Sequence, residues 1–154
     1  MNIAQKSPIQ LAVDFEKHFA GMLEETAMNR TLQTLENTTE SRMKAAVPYD
    51  AEGSLSSLIY YVKAKCRIEG GRVFTGSVWG QSFPGGGALY GDVYLADGSS
   101  IDDLYCRTCE FTYTATPDYT AYYFFDYNKM LLGHFQAGSV GSVFGVGKGE
   151  GIWR

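Results

Sequence analysis

Positive charge is scarce over most of this 154-residue sequence. Charged residues make up 19% of the chain, and 13 Lys and Arg against 17 Asp and Glu give a net charge of −4. Between Val73 and Gly147 seven residues are acidic, whereas Arg107 and Lys129 are the only bases. Because proteins bind nucleic acids through clustered Lys and Arg side chains, we expect no nucleic-acid partner for this region.

Cysteine is also scarce: the chain contains three, an odd number, at Cys66, Cys106 and Cys109. An odd number gives no disulfide framework. The last two have the spacing of redox motifs, but the βαβ pattern that accompanies such motifs is missing. Two neighbouring cysteines cannot complete a zinc site, and His18 and His134 lie at no ligand-like spacing. We therefore predict no metal site and interpret the cysteines as small, partly buried thiols.

Motifs for nucleotide binding and for catalysis are missing as well. The pair Gly147-Lys148 lacks the upstream glycine and the following Ser or Thr that would complete a phosphate-binding loop. The segment Gly138–Gly141 is one residue short of a nucleophile elbow. A glycosidase needs two carboxylates facing each other across a cleft, and spacing along the chain does not reveal such a pair. We predict that the chain is not an enzyme and has no catalytic, nucleotide-binding or cofactor-binding residues.

Long apolar runs are the last notable absence. Residues Met1–Gln10 lack the basic start, apolar stretch and cleavage site of a secretory signal. The uncharged stretches Val73–Gly91 and Met130–Gly147 are interrupted by glycine, serine and polar residues, so we expect no transmembrane helix. Three interpretations of the location stay open: a mature exported protein, export by another route, or retention inside the cell.

Glycine and aromatic residues are abundant. The chain contains 18 Gly, 11 Tyr and 9 Phe, and 16 of the glycines lie from Gly70 onward. Near the chain end Gly145, Gly147, Gly149 and Gly151 occupy every second position. Because side chains on a strand alternate between its two faces, these glycines leave one face bare. Such a stripe is typical of a sharply coiled strand, or of bulky groups packed on backbone in small barrels.

Only the first third of the chain favours helix. Ser7 and Pro8 form a typical helix start, and apolar residues follow at spacings of three and four. These residues are Leu11, Phe15, Phe19, Met22 and Leu23. We predict one helix from Pro8 to about Leu35 and a linker over residues 37–54. The predicted domains are a separable N-terminal helix and linker, residues 1–54, and a barrel domain, residues 55–154.

From Leu55 onward the apolar period changes to two, which is typical of half-buried strands. Tight turns separate seven or eight short strands, and Ser100 with two aspartates predicts a short helix over Ile101–Thr108. The pattern indicates an all-β antiparallel sandwich or barrel, and glycines inside the strands favour the barrel. The side chains predicted to be buried in it are Leu58, Tyr60, Val62, Val93, Phe111, Tyr113, Tyr123, Phe125 and Phe135.

Two groups of side chains on the predicted strands bear on function. Lys63, Lys65 and Arg67 alternate along one strand, and we interpret them as a solvated outer face. Nine tyrosines of the predicted strands and turns could line a ligand cavity or form a membrane-facing belt. Because side chains fill the interior of an eight-stranded barrel, we expect most of these rings in the core and wall.

Five motifs follow one another in a recognisable order: Pro84–Tyr94, Asp103–Tyr105 with Thr108, Phe124–Asp126, Leu132–Gly138 and Gly145–Trp153. They resemble the virulence-associated protein (Vap) family of actinobacterial pathogens, and the resemblance covers about Leu58–Trp153. The resemblance implies a compact eight-stranded antiparallel barrel with Greek-key crossing and one short internal helix. It also implies a secreted, non-enzymatic factor that acts on the endolysosomal compartment of a host phagocyte, without a known cofactor or deep ligand pocket.

Three functions remain as hypotheses. The leading one is a secreted virulence-associated barrel that acts on host endolysosomal membranes or trafficking through surface binding, with a host membrane or host protein as partner. The alternative is a lipocalin-like barrel for a small hydrophobic ligand, which needs an interior cavity of roughly several hundred Å³. The third is an enzyme on the same barrel, which needs convergent polar groups. We expect a monomer with no cofactor and no nucleotide.

Overall fold

Eight antiparallel strands close into a barrel in the computed structural model, which describes residues 7–37, 48–57, 60–79, 85–138 and 145–154. The strands are β1 Tyr49–Ser57, β2 Tyr61–Ile68, β3 Val73–Trp79, β4 Gly85–Leu95, β5 Glu110–Ala115, β6 Tyr119–Phe125, β7 Leu131–Gly138 and β8 Gly145–Trp153. The helices are α1 Pro8–Phe19, α2 Glu25–Asn37 and α3 Ile101–Arg107. Around the barrel the order is β1-β2-β3-β8-β5-β6-β7-β4, and β4 pairs with β1 to close it. The predicted eight-stranded antiparallel barrel, with a short internal helix and a helical segment before it, is confirmed.

Aromatic rings fill the barrel interior. Phe74 lies at its centre, with ring centroids 5.1 Å from Phe111 and 4.9 Å from Phe124. Tyr122 continues the packing to Phe135 at 5.3 Å and donates its hydroxyl hydrogen to the carbonyl of Ser54 at 2.9 Å. These rings pack edge-to-face or tilted, the arrangements that aromatic pairs prefer. The interior is therefore a side-chain core.

Most of the predicted core is confirmed. The buried residues are Val62, Val93, Phe111, Tyr113, Tyr123, Phe125 and Phe135. The prediction that Tyr60 is buried is wrong. Tyr60 precedes the first residue of β2, outside the alternation, and is 75% exposed. Leu58 lies outside the described residues. Two of the buried rings, Tyr123 and Phe125, pack on the outer side of the wall rather than inside the barrel.

The glycine stripe of β8 lets interior rings lie against bare backbone, as the sequence predicts. A Cβ on Gly147 would lie 2.5 Å from Cε1 of Tyr113, where no real Cβ fits. A Cβ on Gly151 would overlap the ring of Phe74 in the same way. The stripe is therefore a packing requirement of the core.

Two helices replace the single predicted helix from Pro8 to Leu35. Ser7 caps α1 by accepting the backbone N–H of Gln10 at 3.2 Å. Beyond Phe19 the chain turns at Gly21, whose φ of 85° is open to glycine and strained for other residues. The apolar spacing continues through this turn, so periodicity alone merges the two helices.

The predicted linker, residues 37–54, is wrong over its last part, because β1 begins at Tyr49. Its inward positions, Ala51 and Gly53, are small, so the strand lacks the apolar alternation that marks the others. A Cβ on Gly53 would lie 3.3 Å from the ring of Phe135 and would overlap the carbonyl of Lys65. The predicted boundary between residues 54 and 55 therefore divides a barrel strand. Residues 38–47 of the predicted linker lie outside the described residues, as do residues 139–144 before β8.

The helix α3 closes one end of the barrel, at the position that the sequence predicts. Ser100 and Asp103 form a capping box, in which each side chain accepts the other residue's backbone N–H. Leu104 is fully buried in the barrel core, and the ring of Tyr105 lies 5.5 Å from that of Trp153. The other end of the barrel, where β2 begins and β3 ends, lies opposite this helix.

The helices α1 and α2 pack against the outside of the barrel. Phe15 lies 4.8 Å and Phe19 5.9 Å from the ring of Tyr123 on β6, measured between centroids. Leu11 and Leu35 join the same buried cluster. The outer wall formed by β5, β6 and β7 is thus covered. Within the described residues, no helix is long and apolar enough to cross a membrane.

Candidate binding surface

The outward side chains of β4, β1, β2 and β3 form a wall on which the described helices do not pack, and we call it the open face. On β2 the buried residues Val62, Ala64, Cys66 and Ile68 alternate with outward ones. The outward ones include Lys63, Lys65 and Arg67, as expected for a solvated outer face. This alternation fixes which side chains a partner of the open face can reach.

Exposed aromatic residues stand at the end of the open face away from α3, which we call the aromatic end. Tyr61 and Trp79 are opposite each other on β2 and β3, with ring centroids 4.9 Å apart and planes tilted by 35°. Trp79 is 74% exposed, and the neighbouring Tyr60 is 75% exposed. The sequence analysis did not identify Trp79 as a surface residue. Its position before a glycine, at the last residue of a strand, was the signal that could have indicated this.

Lysine and hydroxyl side chains follow the aromatic pair along the same wall. Lys63 lies between Ser56 on β1 and Ser77 on β3. One outward step further, Lys65 has Ser54 and Thr75 as its cross-strand neighbours. None of these four neighbours carries a negative charge. Carboxylates lie further away: Glu52 shares a groove with Lys65, and Glu150 on β8 is opposite Ser77.

Carboxylates gather at the opposite end of the open face, towards α3. Asp50 on β1 and Asp92 on β4 are directly opposite, and their side chains are hydrogen-bonded. Burial raises the pKa of Asp92, and the hydrogen bond and the charge of Asp50 raise it further. These residues line an open groove of about 440 Å³ together with Glu52, Arg67, Glu69 and Tyr90. Across it Arg67 forms an ion pair with Glu52.

The carboxylate pair does not have the geometry of a glycosidase. Glycosidases hold their two carboxyl groups about 5 Å or more apart, with the substrate or a water between them. Here Asp50 and Asp92 contact each other directly, and the groove around them is open to solvent. Among the described residues no group of three or more His, Cys, Asp or Glu could hold a metal ion.

The covered face contains a buried polar cluster. His134 stacks between Tyr94 and Tyr123, at centroid distances of 5.4 and 5.7 Å. Its Nδ1 lies 3.1 Å from Nε2 of Gln136, and burial lowers the pKa of His134 to about 4. The ring is therefore neutral at pH 7, and the cluster lies within the wall rather than in a site open to a ligand.

The three cysteines do not assemble into a site. All are free, and burial raises the pKa of the Cys66 thiol in the core. Cys106 on α3 is exposed, which corrects the expectation of a partly buried thiol, whereas Cys109 is partly buried as expected. The tyrosines also divide: Tyr113, Tyr122 and Tyr123 are buried as expected, but Tyr60, Tyr90 and Tyr127 are exposed.

Comparison with known proteins agrees with these observations. The model of the Rhodococcus equi virulence-associated protein family matches residues 1–154. The chain belongs to this family. The solved structure of the virulence-associated protein VapB from the intracellular pathogen Rhodococcus equi is similar to it, with 37% sequence identity and a TM-score of 0.64. The match covers 70% of this chain and 96% of VapB.

A second Vap structure gives the same result. VapD from Rhodococcus equi is 27% identical, with a TM-score of 0.64, and the match covers 70% of this chain and 97% of VapD. No match was found among the curated proteins.

Proposed function

We propose that the chain is a secreted, non-enzymatic virulence factor that acts on host endolysosomal membranes or trafficking through binding at its surface. Membership of the Vap family supports the association with virulence. Binding at the surface is supported by the packing of the barrel interior. There Phe74, Phe111 and Tyr122 are fully buried against one another and their neighbours. A barrel packed in this way offers a partner its outer wall.

A lipocalin-like site for a small hydrophobic ligand has less support. Such a ligand would displace interior rings such as Phe74, and losing the packing of one buried Phe costs about 3–5 kcal/mol. Two grooves lined by described residues lie on the outer wall formed by β1, β2, β3 and β4 and contain charged side chains. Titration with a fluorescent fatty acid tests this alternative, and saturable one-to-one binding would favour it over surface binding.

The absence of enzymatic activity is part of the proposal. The groove at Asp50 and Asp92 is the polar cleft with paired titratable groups that an enzyme would need. Direct contact between the two carboxylates, and the open groove around them, support a structural interaction instead. A hydrolytic turnover abolished by Asp92→Asn would overturn the non-enzymatic assignment.

Acidification should strengthen binding to membranes that carry anionic lipid. At pH 7 the chain has a net charge of −4, so its carboxylates are repelled by a negative surface. Carboxylates lose their charge as the pH approaches about 4–5, and the raised pKa of Asp92 places this group among the first to be protonated. We therefore expect tighter sedimentation with anionic vesicles at about pH 5 than at about pH 7.

The matched control is Asp92→Asn, which removes at pH 7 a charge that acidification would neutralise. This variant should bind anionic vesicles more tightly than the wild type at pH 7 and gain less on acidification. Equal or weaker binding of the wild-type protein at pH 5 would contradict the mechanism. Binding to purely zwitterionic vesicles should show little pH dependence, because those membranes carry no net surface charge.

A further inference from the structure

The open face is polarised from end to end. Tyr60 and Trp79 occupy the aromatic end, and Lys63 and Lys65 come next. Asp50 and Asp92 lie at the end nearer α3, where Arg67 is paired with Glu52 and Tyr90 is half-exposed. The strands are continuous between these groups, so one rigid wall carries all of them. Ser57 lies seven positions after Asp50 on β1, a distance of about 23 Å at the usual rise of a strand.

We propose that the aromatic end of the open face docks on a membrane with anionic headgroups, with Tyr60 and Trp79 entering the interface and Lys63 and Lys65 binding lipid phosphates. The inference rests on the proposed function, since it takes a membrane as the partner. It adds the part of the surface that makes contact, the orientation of the barrel and the class of lipid.

The aromatic side chains are suited to the boundary between water and lipid. Tyr and Trp combine a large apolar ring with one polar group, and both residues are enriched where membranes meet water. Trp79 exposes three quarters of its surface although its ring also contacts Tyr61. The described structure leaves this apolar area to solvent at the tip of the wall.

The spacing of the lysines fits a headgroup layer above those rings. Outward positions on a strand are about 7 Å apart, so Lys63 and Lys65 stand about 7 and 13 Å from Tyr61 along β2. Their flexible side chains can extend towards the aromatic end and place the ammonium groups among phosphates. Flanking hydroxyls, such as those of Ser56 and Ser77, can donate further hydrogen bonds to the same oxygens.

The charge gradient sets the orientation. A negative membrane attracts the lysine end and repels the carboxylate end, where Asp50, Asp92 and Glu69 line one groove. Because the chain as a whole is acidic, a docking pose that brings the carboxylates to the membrane is disfavoured. A membrane also fits better than a rigid polyanion, because the exposed rings project at the edge of the lysines rather than between them.

Vesicle binding by single variants tests the surface. The vesicles are phosphatidylcholine alone, or phosphatidylcholine with about one-third phosphatidylserine, at low salt and pH 7. Lys63→Gln and Lys65→Gln should each weaken binding to the anionic vesicles about fivefold. Trp79→Ser should weaken it about tenfold through the loss of buried apolar area.

Matched controls lie on other parts of the molecule. Lys17→Gln removes the same charge from an exposed position of α1, and Tyr127→Ser removes an 86% exposed ring from the end near α3. Both should bind like the wild type, whereas Tyr60→Ser should bind more weakly than Tyr127→Ser. Thermal unfolding should be similar for all variants, since Lys63 is partly buried on the outer side of β2 and the other substituted side chains are exposed.

The outcomes separate this inference from the proposed function. If the wild type binds anionic vesicles and the variants of the aromatic end bind equally well, the docking surface is wrong and membrane binding stands. If the wild type binds neither kind of vesicle at pH 7 or pH 5, the docking surface is wrong and so is the membrane as partner in the proposed function. If Lys63→Gln weakens retention on a heparin column while no vesicle binds, the open face takes a polyanion and not a membrane, and the inference is overturned.

Discussion

Individual glycines and rings fit each other across the barrel. The stripe at the end of the sequence predicts a face without side chains, and Phe74 lies against that face at Gly151. Gly76 on β3 has the same relation to Phe111. The sequence indicates that rings pack on bare backbone, but it does not identify them, because the pairing of β3 with β8 joins residues more than 70 positions apart.

Asp92 should lower the stability of the folded protein at neutral pH. Its pKa is raised in the folded state, so the protonated pair is favoured at low pH, and this stabilisation is lost as the pH rises through the raised value. Asp92→Asn keeps a hydrogen-bond donor towards Asp50 and removes the repulsion. We expect the variant to be more stable at pH 7 by less than about 1 kcal/mol, because solvent screens the pair.

Urea unfolding at pH 7 and at about pH 3 measures this effect. The advantage of Asp92→Asn over the wild type should disappear at the lower pH, because Asp92, with its raised pKa, has lost its charge there. Asp118→Asn, at an exposed turn position, is the control and should change stability little at either pH. An equal gain at both pH values would mean that repulsion between the two carboxylates is not the cause.

At the scale of secondary-structure elements, the helix pair is more closely connected to the barrel than its sequence suggests. We expect from the sequence a separable appendage, and that remains a prediction, but the buried contacts of Phe15 with Tyr123 and Phe125 argue against it. Phe15→Ala should lower the free energy of unfolding by about 3–5 kcal/mol through the cavity it leaves. Val13→Ala, 59% exposed on the same helix, should lower it far less.

A second measurement shows whether the helices move in that variant. His134 stacks on Tyr123, the ring that Phe15 contacts, and burial holds the pKa of His134 at about 4. Loosening α1 would admit water and raise this pKa towards its usual value near 6.5, which an NMR titration of the imidazole detects. An unchanged stability and an unchanged pKa in Phe15→Ala would support a separable appendage.

Elements could be predicted where apolar and polar residues alternate clearly. The inward residues of β2 and the short helix α3 follow from the sequence, because period two and a capping box are local signals. The strand β1 does not, because its inward positions at Ala51 and Gly53 are too small to show the pattern. The aromatic end is missed for another reason: Tyr61 and Trp79 meet through pairing of β2 with β3, which gives exposed residues no periodic signal.

The whole molecule is organised as a closed ring of strands with different outer walls. The helices cover β5, β6 and β7, while the open face carries a gradient from aromatic and basic residues to carboxylates. A family resemblance indicates the barrel but not this asymmetry, because the asymmetry depends on which strands become neighbours. In the proposed function, the protein therefore binds its partner through the open face, which the helices leave uncovered.

We expect the protein to be a monomer in solution. Each of the eight strands is paired on both sides, so the barrel offers no free edge to which another chain could add a strand. The exposed rings of the aromatic end form a small group beside two lysines, which would repel the same lysines of a second copy across a two-fold axis. Light scattering at neutral pH should give the mass of one chain over a broad range of concentration.

A single docking surface also predicts vesicle binding that shows no dependence on self-association, and Trp79→Ser should leave the mass unchanged while it weakens binding. A stable dimer that Trp79→Ser dissociates would instead assign the aromatic end to contact between copies.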